Sequence, residues 1–469
     1  MGGSQVSDVL VIGGGPSGST VATLLAQQGR AVTLFERAKF PREHVGESLL
    51  PYCYPILDEL GVLEEMKRTA VRKPGVRFID VDGRYRTTWC FGHVIKDESA
   101  LSFHVRRDRF DDMLLRNGAR TGVSVHEETR VRDVVFDSPD APVTVTTEGP
   151  AGEQRTWKGR FLVDCSGRDT FLANRNGWKK AHDDLDRVAI SSHWSDVEFT
   201  GGLEEGLLQI VYLGGEKLGW IWVIPVGADR VSIGVVASND YFKRRRPELR
   251  ASGSEDWKLD YYLAELASSP YVAGLIKSGS LAQAPVVNGD YSYSTATKYG
   301  AAFALVGDAH TFIDPIFASG IYLSMNSAKL VATAVHEDLD APIGGDGANA
   351  LGAAYEQIAG AYRLVEKAIR FFYDPTTINL AQAASAEYLI HSHQETALAG
   401  MHYLLAGDFF RRHEAYARVL DMLAEPALFE RYKSIVVDQK PANASTCGMA
   451  HSQVFSEFLL EEAMANGAS

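Results

Sequence analysis

The pattern of apolar and polar positions predicts a strand, a turn and a helix near the start of the chain. Asp8 to Ile12 is a short β-branched run that is typical of a buried strand. Glycine, proline and serine fill Gly13 to Gly18, and Ser19 to Gln28 is then apolar and alanine-rich, as in a helix. Ala31 to Phe35 is a second apolar run. This order predicts a βαβ unit of an α/β fold.

Later in the chain the pattern changes twice. From about Ala189 to Ala237 apolar and polar residues alternate, which predicts an antiparallel sheet. The predicted helices that follow are Glu255–Ile276, Leu351–Phe372, Leu380–His391 and Phe409–Leu423, with a final amphipathic helix after Ser452. We therefore expect a core over residues 1–335, which includes a sheet at about 185–285, and a helical C-terminal cap over residues 336–469.

Composition narrows the class of protein. The 60 acidic residues exceed the 47 basic ones, and a formal net charge of −13 disfavours binding to nucleic acid or to a membrane surface. No apolar run approaches the roughly 18–20 residues of a membrane span, and residues 1–8 lack a signal-peptide pattern. The four cysteines form no CxxC pair, and His391 with His393 lacks a third ligand nearby. We therefore expect a cytoplasmic protein with reduced cysteines, no disulfide scaffold and no metal.

Three glycines form a dinucleotide fingerprint in its strand–turn–helix setting. Gly13 permits the tight turn, Gly15 lets the backbone approach a pyrophosphate, and Gly18 lets the helix and the strand pack closely. The helix N-terminus supplies N–H donors and the positive end of a dipole. Glu36 ends the second strand, where an acidic side chain accepts hydrogen bonds from a ribose. The pattern predicts dinucleotide binding without choosing between FAD and NAD.

Three segments resemble the FAD motifs of glutathione-reductase-type flavoproteins, in the branch that includes aromatic hydroxylases and flavin-dependent halogenases. They are Gly13–Arg37, Val163–Arg168 and Gly307–Pro315. The resemblance implies a Rossmann-like FAD-binding fold with an antiparallel substrate-side sheet and a helical C-terminal region. The FAD-binding residues that it implies are Gly13, Gly15, Ser17, Gly18, Glu36, Arg37, Ser48, Arg107, Asp164, Gly307, Asp308, Pro315, Gly320 and Ile321. Taken alone, Gly307–Asp308 is also typical of an ordinary turn, and Arg107 of a solvated helix start.

The run Gly219–Pro225 (GWIWVIP) matches the WxWxIP motif of flavin-dependent halogenases. Residues two apart on a strand face the same side, so Trp220 and Trp222 form a paired indole wall, and Pro225 ends or edges the strand. In the family this motif is thought to keep substrate away from the flavin, which suppresses hydroxylation. In an unrelated protein the same run would indicate two core tryptophans.

The resemblance also assigns a catalytic lysine and a halide site. Lys73 follows the segment His44–Pro51, which matches the family's flavin strap, and occupies the catalytic position. Composition alone would place a lysine on the surface. Ser319 and Gly320, in Asp314–Ile321, offer backbone N–H donors where the family binds halide beside the flavin. The ordinary interpretation of these residues is a helix start with a tight turn, and both interpretations can hold together.

The resemblance covers Asp8 to about Lys329 and is closest to halogenases of pyrroles and phenols. The runs that carry it are Glu43–Pro51, Phe103–Leu115, Asp290–Tyr293 and Phe312–Gly320. Phe317 replaces the glutamate of tryptophan halogenases, which favours a phenol or pyrrole over an unactivated indole carbon. Ser294 replaces the aspartate that links FAD covalently in one subgroup, so we expect non-covalent FAD.

The implied reaction uses reduced FAD, O₂ and chloride or bromide to form hypohalous acid, which travels to Lys73 and halogenates an electron-rich ring in natural-product biosynthesis. The substrate is free or tethered to an acyl or peptidyl carrier protein. No second GxGxxG unit is visible, so a separate flavin reductase is expected as the source of reduced FAD. Lys73 acts either as an ammonium hydrogen-bond donor or by forming a chloramine.

Two rival functions and one surface feature stay open. An aromatic hydroxylase would use the same cofactor, although the indole wall argues against it. A non-catalytic flavin-fold binding protein would not need the complete set of FAD motifs. The basic run Tyr241–Arg250 predicts either a solvated face or a docking site for an acidic carrier protein.

Overall fold

The computed structural model describes most of the chain. The described residues are 6–137, 141–251, 256–289, 292–340, 350–374, 376–377, 380–381, 397–425 and 446–467. Three predicted features lie wholly or mainly outside these ranges, namely the helix Leu380–His391, the pair His391 and His393, and the start of the run Asp290–Tyr293.

Fourteen α-helices lie within the described ranges. In chain order they are α1 Pro16–Gln27, α2 Tyr54–Glu59, α3 Leu63–Thr69, α4 Arg107–Thr121, α5 Phe171–Arg175, α6 Asn239–Ala251, α7 Trp257–Ala267, α8 Pro270–Leu275, α9 Gly320–Asp340, α10 Ala350–Tyr373, α11 Ala397–Ala406, α12 His413–Ala424, α13 His451–Val454 and α14 Glu457–Gly467.

The strands of the described residues number twenty-one. They are β1 Ser7–Ile12, β2 Val32–Phe35, β3 Val71–Lys73, β4 Gly75–Ile79, β5 Arg86–Cys90, β6 Ser102–His104, β7 Ser124–His126, β8 Arg130–Val135, β9 Val143–Glu148, β10 Gln154–Asp164, β11 Lys179–Ala181, β12 Arg187–Ser195, β13 Leu208–Leu213, β14 Gly219–Pro225, β15 Arg230–Ser238, β16 Ser280–Leu281, β17 Val286–Asn288, β18 Tyr293–Thr295, β19 Tyr299–Gly300, β20 Phe303–Leu305 and β21 Thr311–Phe312.

The first sheet is the predicted nucleotide-binding layer. Its main path runs β19-β20-β10-β1-β2-β7, and β1 pairs in parallel with β10 on one side and β2 on the other. Val9, Leu10 and Val11 are fully buried because helices and β-structure cover both faces of β1. Helix α1 returns the chain from β1 to β2 and packs against α9. The predicted βαβ unit and α/β class are thus confirmed.

The second sheet is the predicted antiparallel, substrate-side layer. Its path runs β16-β12-β15-β14-β13-β4-β5, with antiparallel pairing except between β13 and β4. β14 lies in the middle of this sheet, and Pro225 is its last residue. An inner strand needs every ladder N–H, so the proline is tolerated only at the end of β14.

The helical C-terminal region differs from the prediction in its details. α10 reproduces the predicted helix almost residue for residue, whereas the predicted helix from Phe409 begins only at His413, as α12. Gly407 has a φ of +107° and follows the last residue of α11, so the preceding helix ends there. The predicted helix over Glu255–Ile276 is split into α7 and α8 at Ser269, whose side chain caps α8. The predicted boundary at residue 335 falls inside α9.

The last described segment, residues 446–467, packs against the strand that carries Lys73. Val454, Phe455 and Leu459 form a buried cluster with Val71 of β3. This contact places the C-terminal end of the chain behind the lysine. None of the helices in the described ranges is long and apolar enough to cross a lipid bilayer.

The expectation of reduced cysteines without a disulfide is wrong for two of the four. Cys90, at the end of β5, is joined to Cys447 by a disulfide, and their Cα atoms are 5.6 Å apart. Cys53 and Cys165 are free and buried. Sequence spacing could not reveal the pair, because 357 residues separate its members and only the packing of the C-terminal segment brings them together.

We expect the disulfide to stabilise the folded protein. Adding a reductant to the oxidised protein should lower its free energy of unfolding by about 2–4 kcal/mol, because the constraint on the unfolded chain is lost. Thermal unfolding of the wild type and of Cys447→Ser, each with and without reductant, measures this. The thermal unfolding of Cys447→Ser should be the same with and without reductant. Two free thiols at these positions in air-oxidised protein would contradict the pairing.

Candidate active site

In the glycine turn after β1, protein packing requires two of the glycines, and a third leaves space for a ligand. A Cβ on Gly18 would lie 1.9 Å from the Gly13 carbonyl oxygen, and one on Gly13 would lie 2.3 Å from that of Cys165. Backbone packing therefore requires these two glycines. A Cβ on Gly15 would meet only the Arg42 guanidinium, at 3.6 Å. Gly15 leaves open space at the N-terminus of α1, as a bound pyrophosphate needs.

Glu36 and Asp164 are held in place by backbone amides. The Glu36 carboxylate accepts from Gly14 N at 2.7 Å and from Ala38 N at 2.8 Å. Each carboxylate oxygen has a further lone pair, so Glu36 retains acceptor capacity for ribose hydroxyls. Asp164 is fully buried and accepts from the amides of Ser166 and Leu172. It shapes the turn next to Gly13, and a direct ligand contact for it stays a prediction.

The turn Gly307–Ala309 brings the second predicted motif against the first. Gly307 has a φ of +64°, and a Cβ there would lie 3.1 Å from Ser17 Oγ of α1. The Asp308 carboxylate has no hydrogen-bond partner among the described residues. Burial raises the pKa of Asp308 to about 6, against the opposing charges of Arg168 and Arg107. An unpartnered carboxylate at this place fits the ribityl hydroxyls of FAD.

Arg107 is buried, so its interpretation as a solvated helix start is wrong. It forms a bidentate ion pair with Asp111, at 2.8 and 2.9 Å, and donates to the Val45 carbonyl at 2.7 Å. Arg107 thus ties α4 to residues 44–51, the predicted strap. Arg37 differs because it is half-exposed and paired with Asp169.

A second contact that holds the strap, residues 44–51, could not be predicted from the sequence. Glu47 Oε1 lies 2.6 Å from Nε2 of His193 on β12, and both side chains are buried. Burial lowers the pKa of His193, but the bond to Glu47 and its charge outweigh that and raise it. The pair is 146 residues apart, so only the packing of the strap on the second sheet reveals it. Ser48 Oγ is buried beside it and has no hydrogen-bond partner within the described ranges.

Lys73 is 1% exposed and lies at the end of β3, facing an apolar cavity. Its Nζ donates to the Leu49 carbonyl at 2.9 Å and lies 5.3 Å from the Phe91 ring centroid. Burial lowers the pKa of Lys73 to about 7. The cavity measures about 10 Å³, enough for about one water molecule, and is lined by Leu50, Lys73, Val76, Phe78, Phe91, Leu208, Ile210, Ile316, Phe317 and Leu405. Lys73 is the ionisable residue of that lining.

Trp220 and Trp222 form the predicted paired wall. Their ring centroids are 5.7 Å apart, and both side chains are buried in the same core cluster as Phe317. Trp222 Nε1 donates to Ser232 Oγ on β15 at 3.1 Å. Neither indole lines the cavity of Lys73, so the wall and that cavity are separate surfaces of one core.

The segment Asp314–Gly320, hereafter the Asp314–Gly320 turn, places unpartnered donors beside the flavin motifs. Asp314 Oδ1 accepts from Ile316 N at 3.0 Å, which closes a short 3-10 turn over Pro315–Phe317. Ser319 is fully buried, and its Oγ has no hydrogen-bond partner in the described part of the chain. A Cβ on Gly320, the first residue of α9, would meet no atom within 4 Å. Such open, donor-rich space suits an anion beside a planar cofactor.

The structure therefore brings together most of the residues singled out in the sequence. Ile316 and Phe317 of the Asp314–Gly320 turn share the cavity with Lys73, and Ser17 meets Gly307 across the FAD motifs. Sequence reasoning missed two residues of the C-terminal region. Leu405 of α11 closes the cavity from that side, and Tyr373 is the last residue of α10. Neither belongs to a motif, because their positions depend on how the C-terminal helices pack.

Comparisons with known proteins agree with this geometry. A family model described as "FAD binding domain" matches residues 6–368. The chain is 36% identical over 333 residues to a tryptophan 2-halogenase of Chondromyces crocatus, an alignment that covers 70% of this chain and 60% of that enzyme. It is 33% identical over 341 residues to flavin-dependent halogenase armH3 of Armillaria mellea, covering 70% and 67% respectively.

Two further comparisons concern a carrier-dependent enzyme and a solved structure. The chain is 29% identical over 346 residues to a 1H-pyrrole-2-carbonyl-[peptidyl-carrier protein] chlorinase of Pseudomonas fluorescens, covering 69% of this chain and 74% of that enzyme. The crystal structure of CmlS, a flavin-dependent halogenase, superposes with a TM-score of 0.71 at 25% identity, covering 99% of this chain and 77% of that one. The chain spans 60% of the length of the tryptophan 2-halogenase that it matches.

Proposed function

The chain belongs to the flavin-dependent halogenases, and from this premise we propose that it uses reduced FAD, O₂ and chloride or bromide to halogenate an electron-rich aromatic ring. The observation that carries the proposal is Lys73, a lysine buried at the edge of an otherwise apolar cavity. A charged side chain is rarely buried without function or a partner, and within the described ranges the Lys73 ammonium contacts a carbonyl oxygen and an aromatic face but no carboxylate.

The residues that would hold FAD fit its parts. The open turn at Gly15 suits the pyrophosphate, Glu36 the adenosine ribose and Asp308 the ribityl chain. Reduced FAD, when bound, supplies the reaction with O₂ that turns halide into hypohalous acid. Ser319 and Gly320 are the proposed halide ligands, since Gly320 begins α9 and the first N–H groups of a helix lack intrahelical partners.

Lys73 is proposed to guide the oxidant to the ring. Its pKa of about 7 means that ammonium and amine are both well populated near neutral pH. The ammonium can donate a hydrogen bond to the oxygen of hypohalous acid, whereas the amine can attack the halogen, breaking its bond to oxygen and releasing water, to form a chloramine or, with bromide, a bromamine. The buried indoles of Trp220 and Trp222 would keep the aromatic substrate from the cofactor.

The proposed substrate is a phenol or pyrrole. Among the described residues, none with a carboxylate lines the cavity, and by the sequence resemblance Phe317 stands where tryptophan halogenases carry a glutamate. An electron-rich ring reacts with an electrophile without such a base. The name of the Chondromyces crocatus relative favours a second candidate, the C2 carbon of indole, which belongs to the pyrrole part of that ring.

Three associated proposals accompany this function. The peptidyl-carrier chlorinase in Pseudomonas fluorescens supports a substrate tethered to a carrier protein. A separate flavin reductase would supply reduced FAD. The cytoplasm stays the proposed location, and the disulfide of Cys90 and Cys447, which is more typical of oxidising compartments, speaks against it.

Mass spectrometry of reaction products tests the function. The purified protein is combined with a flavin reductase, FAD, and chloride or bromide, and offered phenols, tryptophan and pyrrolyl carrier proteins. A halogen isotope pattern in a product supports the proposal. A hydroxylated product that forms equally without halide would instead establish the hydroxylase, and protein without a flavin absorbance spectrum after incubation with FAD would favour the non-catalytic alternative.

The basic run on α6 should not be the docking site for a carrier protein. Arg244 pairs with Glu216, Arg245 pairs with Glu248, and Arg246 stacks on Trp257. Reversing the charge of all three should therefore change turnover of a tethered substrate less than about twofold, because neighbours on this chain already engage these side chains. Steady-state rates with tethered and free substrate check this. A selective tenfold loss with the tethered substrate would show that α6 docks the carrier.

A further inference from the structure

A hydrogen-bonded chain links the indole wall to the Asp314–Gly320 turn through the C-terminal region. Trp220 lies on β14, and Tyr373 is the last residue of α10. The distance from Trp220 Nε1 to the Tyr373 hydroxyl is 2.8 Å, and from that hydroxyl to Asp314 Oδ2 it is again 2.8 Å. Three elements that are remote in sequence are thus joined at one phenol oxygen.

The chemistry of the three groups fixes the direction of every bond in this chain. An indole N–H can only donate, so the Tyr373 oxygen must accept from Trp220 and direct its own proton to Asp314. The other oxygen of Asp314 already accepts from Ile316 N. Trp220 and Asp314 are buried, so loss of the phenol hydroxyl would leave a buried donor and a buried acceptor unpaired.

Arg187 holds the same tyrosine from its ring face. The guanidinium carbon lies 4.3 Å from the Tyr373 ring centroid, and Arg187 is buried at the start of β12. The positive charge of Arg187 also faces Asp314 and lowers the pKa of that carboxyl group, which favours its ionised form. The tyrosine is therefore fixed by its hydroxyl and by its ring.

The hydrogen-bonded chain through Tyr373 includes one of the two indoles of the wall and not the other. Trp222 donates to Ser232 on the neighbouring strand, so its bond stays inside the second sheet. Trp220 alone of the pair is tied to an element outside that sheet. Through Tyr373 it is linked to the Asp314–Gly320 turn, which contributes Ile316 and Phe317 to the cavity of Lys73.

Building on the proposed halogenase function, we propose that Tyr373 is a positioning residue that fixes the indole wall against the Asp314–Gly320 turn. The spacing of these two surfaces then sets the fraction of hypohalous acid that reaches Lys73 instead of escaping to solvent. Tyr373 is not among the residues that line the cavity; it meets the predicted FAD motif Gly307–Pro315 at Asp314 and acts through Trp220 and Asp314.

The test is Tyr373→Phe, which keeps the ring and removes both hydrogen bonds. We expect oxidation of reduced FAD to stay within twofold of wild type, while halogenated product per reduced FAD consumed falls about fivefold. Hypohalous acid trapped by monochlorodimedone in solution should rise correspondingly. Tyr416→Phe is the matched control, because Tyr416 donates to Asp408 at 2.9 Å without reaching the wall.

A second readout does not depend on activity. Burial raises the pKa of Asp314 to about 6, against the bonds from Tyr373 and Ile316 and the charge of Arg187. Protonation of Asp314 as the pH falls through 6 should weaken the chain, so the near-ultraviolet tryptophan signal of the FAD-free wild type should titrate there. The Tyr373→Phe signal should be insensitive to pH in that range, and Tyr416→Phe should behave as wild type.

The outcomes separate this inference from the proposed function. A wild type that forms neither halogenated product nor trapped hypohalous acid contradicts the halogenase proposal, whatever the tryptophan signal does. If the wild type is active, two results would contradict the role of Tyr373. One is a Tyr373→Phe variant that forms as much halogenated product per reduced FAD as the wild type. The other is a Tyr416→Phe variant that loses as much of this yield as Tyr373→Phe.

Discussion

Lys73→Met should abolish halogenation while leaving oxidation of reduced FAD intact. Methionine fills a similar volume but carries no N–H group, so the oxidant finds neither a hydrogen-bond donor nor an amine in the cavity. We expect product formation to fall by about 10²–10⁴-fold, the contribution typical of a positioned proton-transferring group. Product assays with a reductase-fed supply of reduced FAD, together with trapping of free hypohalous acid, measure the two effects.

Two variants make this result specific. Lys67→Met removes a lysine on α3 that pairs with Glu64 and Glu98 at the surface, and should halogenate normally. Lys73→Arg keeps a permanent positive charge but cannot act as a neutral amine at ordinary pH. Activity retained by Lys73→Arg would favour the hydrogen-bond role, and its loss the chloramine. Normal halogenation by Lys73→Met would exclude Lys73 from the reaction altogether.

Lys73→Met should also stabilise the folded protein. Such a gain is expected when a buried charge serves function at the cost of stability. In the folded state the pKa of Lys73 is lowered to about 7, so between that pH and the usual lysine value the unfolded chain binds more protons. Wild-type stability should therefore rise with pH across this interval and stay flat below it. Lys73→Met lacks this penalty, so its stability advantage, on the order of a few kcal/mol near neutral pH, should shrink as the pH rises.

Gly15→Ala should lose FAD affinity without losing its fold. A methyl group there meets only the Arg42 guanidinium, at 3.6 Å, and the backbone at Gly15, with φ −70° and ψ −174°, suits alanine. Any loss must then come from the bound pyrophosphate. We expect the Kd for FAD to rise by about 10–100-fold, which corresponds to about 1.4–2.8 kcal/mol, with an unchanged melting temperature of the FAD-free protein. Titration of apoprotein with FAD measures the affinity.

The chain offers a matched pair of controls. Gly214 has almost the same backbone angles, φ −74° and ψ −170°, before a short helical turn and no neighbour within 4 Å, so Gly214→Ala should bind FAD normally. Gly18→Ala should lose stability as well as FAD, because its Cβ would lie 1.9 Å from a backbone oxygen. Wild-type FAD affinity in Gly15→Ala would place the pyrophosphate elsewhere.

Much of this protein follows from local sequence. The strand–glycine–helix start, the alternating sheet and the helix that became α10 were predicted because each depends on contacts within a short stretch of chain. The motifs around Gly13, Trp220, Lys73 and Asp308 were located for the same reason, since each motif is contiguous in sequence.

Long-range packing decided the remaining features. The disulfide of Cys90 and Cys447, the pair of Glu47 and His193, and the chain through Tyr373 join residues between 59 and 357 positions apart. No periodicity records such partners, because each side chain alone fits an ordinary core or surface position. The low pKa of Lys73 likewise arises from burial by residues of several elements. The sequence thus determined which chemical groups the protein carries, and the tertiary structure decided which of them meet, because contact energies depend on distance in space and not along the chain.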